Sequence, residues 1–131
     1  ENKRRAQIEN EIKNLGKIYF AFNSSTLNSE SKSTLTQLAT LMEATPTITL
    51  EVASYTDSRG PASYNLALSE RRVKSTIDYL LEKGLSQDRL VPKAYGETNL
   101  VNECDDNTPC SETKHKMNRR SEFVVMRFLA N

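Results

Sequence analysis

Apolar positions recur along the chain with two different periods, and each change of period marks an element. Ile48, Leu50 and Val52 alternate with Thr49 and Glu51, the period-two signature of a strand with one buried face, and the run passes into Ser54-Tyr55-Thr56-Asp57. Leu35, Leu38, Ala39, Leu41 and Met42 instead share one helical face, with Asn28 placed as N-cap, Glu30 in the first turn and Pro46 beyond the end. After the turn Ser58-Arg59-Gly60-Pro61, the positions Leu66, Val73, Ile77, Leu80 and Leu81 mark a second amphipathic helix of about six turns. Gly84 suits a left-handed C-cap for it.

Weaker patterns complete the order. Ile18 to Phe22 (IYFAF) reads as a first strand, ended by the turn-forming Asn23-Ser24-Ser25. Leu90 to Gly96 reads as a third strand, Glu112 to Met117 as a helical turn, and Glu122 to Leu129 as a strong terminal strand. Residues 1–15 are polar apart from Ala6, Ile8, Ile12 and Leu15, and the last three form a narrow helical stripe, giving a linker or N-terminal helix ahead of a folded unit spanning 16–131. The order βαβαβ(α)β predicts an α+β fold, an α/β sandwich in which a mixed sheet packs on helices.

Composition narrows the function. With 131 residues, 37% of them hydrophobic, the chain has the size of one domain. A chain of this length buries roughly 68% of its unfolded surface, so folding requires no cofactor. Eighteen Lys and Arg against seventeen Asp and Glu leave a net charge of +1, without the basic footprint of a nucleic-acid binder. No apolar run approaches the roughly 20 residues of a membrane span, and the opening ENKRRAQIENE lacks the apolar core of a signal peptide. The chain therefore reads as a soluble piece of a longer protein, with no membrane insertion of its own.

Cys104 and Cys110 close the short segment CDDNTPC, whose composition reads as a surface loop. A disulfide is the leading reading, and it implies an oxidising compartment. Free thiols are one alternative; a metal site using Asp105, Asp106 or His115 is another, but the lone CxxxxxC lacks the paired short spacings of common zinc sites, so no metal is assigned.

On the second helix, Asn65, Leu68, Ser69 and Arg72 lie in one narrow sector, and Asp57 precedes that helix by a short loop. Asp57 and Arg72 can form a structural ion pair at the helix start. They can equally form two walls of a cleft for a zwitterionic amino-acid head group, with its carboxylate clamped by Arg72 and its ammonium held by Asp57.

The run TDSRGPASYNLALSERR, Thr56 to Arg72, closely resembles the TD-x-x-G-x-x-x-x-N-x-x-L-S-x-x-R signature of OmpA-like domains. The likeness continues in YFAFN, in DRLVPKAYGE from Asp88 and in NRRSEF from Asn118, and covers roughly residues 16 to 129. The cysteine loop followed by SETKHKMNRRSEF further resembles the Bacteroidetes branch of the family.

This resemblance implies a periplasmic module that binds the diaminopimelate of peptidoglycan stem peptides without covalent chemistry. The rest of its polypeptide would sit in the outer membrane or in an envelope machine. Ligand positions fall on Asp57 and Arg72, with Phe22, Asn23, Thr56, Asn65 and Leu68 completing the pocket. Asn23 stands where Asp is common, Tyr55 replaces His or Asn, and Ser54 replaces Gly. Arg119 and Arg120 resemble the NRR element and read as mainly structural, the alternative being that Arg119 reaches the ligand.

Two other functions compete. A wall hydrolase would need an activated nucleophile or a metal, yet the chain has one histidine, His115, which reads as solvated, and neither G-x-S-x-G nor H-E-x-x-H. A protein-interaction module using the same cleft for a peptide carboxylate is the other.

Overall fold

A computed structural model describes residues 2–128. The order is α1 (Asn2–Leu15), β1 (Ile18–Tyr19), α2 (Ser29–Ala44), β2 (Ile48–Tyr55), α3 (Ala62–Glu82), β3 (Leu90–Gly96), α4 (Glu112–Lys116) and β4 (Arg120–Phe128), which is the α/β arrangement that the patterning predicts. Leu129, assigned to the terminal strand by its apolarity, lies outside the described residues.

The four strands form one mixed sheet in the order β1-β4-β2-β3, with β2 parallel to β3 and antiparallel to β4, and β1 antiparallel to β4. Ile48, Leu50 and Val52 of β2 and Val125 of β4 meet Leu35, Leu38 and Met42 of α2 and Val73, Ile77 and Leu80 of α3 in one core. Ile12 of α1 joins the same core, with Ile8 and Leu15 packed against it. Pro92 is accommodated because β3 is an edge strand, where a missing N–H costs no ladder bond on the open side.

The helix ends follow local chemistry. Asn28 caps α2 by accepting a 2.7 Å hydrogen bond from the Ser31 amide. At the end of α3 the Leu85 amide donates to the Leu80 carbonyl and the Gly84 amide to the Leu81 carbonyl, while Gly84 takes φ +101°. That is the Schellman closure for which only glycine is unstrained.

Three features depart from the sequence reading. The first strand is two residues long, because beyond Tyr19 the carbonyls of Ala21 and Ser24 turn toward Arg72 instead of pairing in the sheet. Leu66 shares the helical face of Val73 by period yet is exposed, near the N-terminal end of α3. His115, read as solvated, is buried on α4, and its Nδ1 has no hydrogen-bond partner. Ser111 caps this short helix by accepting from the Lys114 amide, and the turn so formed carries His115 inward.

Gly96 positions the site directly. It has φ +58°, its amide donates to the Ser69 hydroxyl oxygen at 2.9 Å, and a Cβ there would sit 3.2 Å from both the N and the Cα of Leu66. Gly96→Ala is expected to cost about 1–3 kcal/mol, read as a lower midpoint of chemical denaturation, because β3 must move off the first turns of α3.

Candidate functional site

The turn that follows β2 is fixed by hydrogen bonds to its own backbone. The Thr56 amide donates to the Gly96 carbonyl at 2.8 Å, and the Thr56 hydroxyl donates to the Asp57 carbonyl at 2.9 Å. Asn65, on the first turn of α3, directs its amide nitrogen at the carbonyls of Asp57 and Arg59 and at Glu97 Oε1, at 3.3, 3.0 and 3.0 Å. Asn65 therefore holds the whole 57–59 turn. Ser58 donates to the Cys104 carbonyl and ties this turn to the cysteine loop.

Asp57 is 3% exposed. Its Oδ1 accepts from the Arg59 amide at 3.0 Å, and its Oδ2 accepts from Arg59 Nη2 at 2.7 Å and from Arg119 Nη1 at 3.3 Å. Burial alone would push its carboxyl pKa up, but the hydrogen bonds and charge of Arg59, with those of Arg119, outweigh burial and hold it below the ordinary value. Asp57 is thus ionised at neutral and mildly acidic pH. The stability it contributes is present above its unfolded pKa of about 4 and is lost as pH falls through the lower folded value.

Arg72 is fully buried and does not pair with Asp57. Nε donates to the Ser24 carbonyl at 2.8 Å, Nη1 to Tyr55 at 3.0 Å and Nη2 to Ala21 at 3.1 Å, while the guanidinium lies 5.0 Å from the Phe20 ring centre. Burial, with the nearby charge of Arg119, lowers its pKa to about 10, which leaves it cationic at neutral pH. The structural ion pair that spacing suggested is absent, and Arg72 instead fastens the chain after β1 to the end of β2.

Phe22, Asn23, Thr56, Asp57, Asn65, Leu68 and Arg72 all line one cavity of roughly 330 Å³, so every residue singled out for ligand contact meets in one place. Asn23 adopts φ +57°, a left-handed conformation that Asn tolerates better than other residues bearing a side chain, and accepts a hydrogen bond from the Tyr64 hydroxyl. Arg59, Gly60, Pro61, Tyr64 and Arg119 complete the lining.

Arg119 is the main addition. It is 4% exposed, donates through Nε to the Phe20 carbonyl at 2.7 Å, and reaches Asp57 on one side and Glu112 on the other at 2.8 Å. Arg59 Nη1 also meets Glu112, at 3.0 Å. Asp57, Arg59, Glu112 and Arg119 thus form a closed ring of alternating charge. Helical spacing could not reveal this ring, since its four members come from a turn, the start of α4 and the entry to β4.

Cys104 and Cys110 are joined in a disulfide, so neither sulphur is a thiolate ligand. The bond links the two contacts that reach the Asp57 turn from this loop, the Cys104 carbonyl at Ser58 and Glu112 just beyond Cys110. Reduction is expected to lower stability by about 2 kcal/mol, the closure entropy of so small a loop. Denaturation with and without reductant measures it.

The OmpA family profile matches residues 19–114. The chain belongs to the OmpA family. Among curated relatives, the peptidoglycan-associated lipoprotein of Brucella melitensis is 31% identical over 109 residues, 83% of this chain and 62% of that protein. Outer membrane protein A of Escherichia coli O157:H7 is 40% identical over 93 residues, 68% of this chain and 27% of that protein. The chain therefore spans less than two thirds of either relative.

Solved structures share the OmpA-like fold. The peptidoglycan-associated lipoprotein from Burkholderia pseudomallei superposes with a TM-score of 0.76 at 24% identity, covering 84% of this chain and 89% of that one. A MotB-like protein from Desulfovibrio vulgaris gives 0.75 at 20% identity, covering 95% of each. Within this OmpA-family domain, the signature segment Thr56–Arg72 is the part that brackets the cavity, from the turn after β2 to the middle of α3.

Proposed function

We propose that this OmpA-family domain is a non-enzymatic binding module for peptidoglycan, anchoring an envelope protein of the outer membrane to the cell wall from the periplasm. The finer reading is that it takes the diaminopimelate side chain of the stem peptide, with the ammonium on Asp57 and the carboxylate at the guanidinium wall that includes Arg72. The observation that carries it is an ionised, nearly buried carboxylate, paired with Arg59 and Arg119, in one small cavity that the cationic Arg72 also lines. A zwitterionic amino-acid end group matches that charge pattern. The names of the Brucella and Burkholderia relatives, both peptidoglycan-associated lipoproteins, support the same ligand class.

A binding role also fits the ionisation of the site better than hydrolysis does. Asp57 is held ionised by its arginines, the wrong direction for a general acid, and His115 is not among the residues lining the cavity. Weak single contacts suffice for anchoring, because many copies on one polymer gain avidity through effective concentration. Co-sedimentation with purified wall sacculi tests the reading. Pelleting that free diaminopimelate displaces supports it, whereas a protein that stays in the supernatant at every wall concentration contradicts it.

A further inference from the structure

We propose that Arg59 is a specificity residue at the mouth of this cavity, reading a second carboxylate beside the ligand's zwitterionic head group. The ligand class is then a wall peptide carrying two free carboxylates close together. This inference rests on the wall-binding reading and adds to it a requirement for charge.

Charge balance is the first ground. The cavity lining holds three guanidinium groups, Arg59, Arg72 and Arg119, against the carboxylate of Asp57, and with Glu112 paired to Arg59 and Arg119 from outside the lining, positive charge still exceeds negative by one. A zwitterionic head group is neutral and leaves that excess in place. A further ligand carboxylate reduces it.

The three arginines are not equivalent. Arg72 is fully buried, with three of its five N–H groups committed to main-chain carbonyls. Arg119 is 4% exposed and is held by the Phe20 carbonyl as well as by Asp57 and Glu112. Arg59 alone has a side chain that is 35% exposed, lies 4.2 Å over the Phe22 ring, and holds only carboxylates, Asp57 and Glu112. Its backbone is meanwhile fixed, because Asn65 grips its carbonyl.

When a ligand ammonium takes Asp57, Arg59 loses its shortest ion pair, and Glu112 remains shared with Arg119. A guanidinium so released, planar and still weakly hydrated against Phe22, is suited to a bidentate contact with an incoming carboxylate.

The test is calorimetric titration of wild type, Arg59→Gln and Arg59→Lys with two synthetic peptides. Both carry the same diaminopimelate head group, one with a free neighbouring carboxylate and one with that group amidated. Amidation should weaken wild-type binding about tenfold, the Gln variant about twofold or less, and the charge-retaining Lys variant by an intermediate factor. The ratio between peptides is the readout, since it cancels any general effect of the substitution on Asp57. Equal ratios in wild type and Arg59→Gln overturn the inference. So does tighter binding of both peptides to Arg59→Gln by one common factor, which would make Arg59 only a competitor for Asp57. Wild type binding neither peptide overturns the wall-binding reading and this inference with it.

Discussion

Arg72→Ala is expected to destabilise the domain by about 3–5 kcal/mol, the cost of breaking a buried charged network on one side. Three carbonyls, those of Ala21, Ser24 and Tyr55, lose their donor at once, and the contact with the Phe20 ring goes with them. Urea denaturation should show a lower midpoint with an unchanged slope, since the loss lies in the native state. Arg72→Lys should recover only part, because a single ammonium cannot reproduce the spread of a guanidinium. A melting temperature within about 2 °C of wild type would mean that the carbonyls find other donors and that Arg72 is free to serve the ligand alone. Loss of binding in Arg72→Ala is therefore interpretable only beside a folding measurement.

Asp57→Asn is the cleaner probe of recognition. The substitution keeps the shape and an acceptor for the Arg59 amide, while removing the only negative charge in the cavity lining. Glu112 still pairs with Arg59 and Arg119, so the cost to stability should stay well below that of Arg72→Ala. Binding of an ammonium-bearing wall peptide should weaken by about 2–5 kcal/mol, because the ligand cation then enters a site lined only by positive charge. In wild type the depressed pKa of Asp57 keeps the group ionised, so its contribution to affinity should stay level from about pH 8 to pH 5. A variant that binds within threefold of wild type would remove Asp57 from the ligand contact.

Much of this was legible in the sequence because local rules and tertiary packing agree. The alternation at Ile48, Leu50 and Val52, the cap at Asn28 and the stop at Gly84 each describe groups that must be satisfied within a few residues, and all three hold. The gathering of Phe22, Asn23, Asp57, Asn65 and Arg72 around one cavity was carried by a motif specific enough to imply a fold. What escaped depends on contacts between distant segments. Nothing within a few residues of Arg72 indicates that its donors go to Ala21, Ser24 and Tyr55, so opposite charges at a suitable spacing suggested an ion pair that is not there. Arg59 reads as a turn residue, and Glu112 as an acid in a helical first turn. Their meeting with Arg119 around Asp57 requires the cysteine loop to fold back onto the turn after β2. His115 failed for the same reason, as a polar neighbourhood in sequence became a buried one once α4 packed.

The central claim is that Asp57 and its arginines form a wall-peptide site, and calorimetric titration with a soluble diaminopimelate-containing muropeptide, set against a lysine-containing control, tests it most directly. Saturable binding to wild type, weaker for the lysine control and lost in a folded Asp57→Asn variant, is the predicted result. No binding to wild type at millimolar ligand, or equal binding to folded wild type and Asp57→Asn, would contradict it.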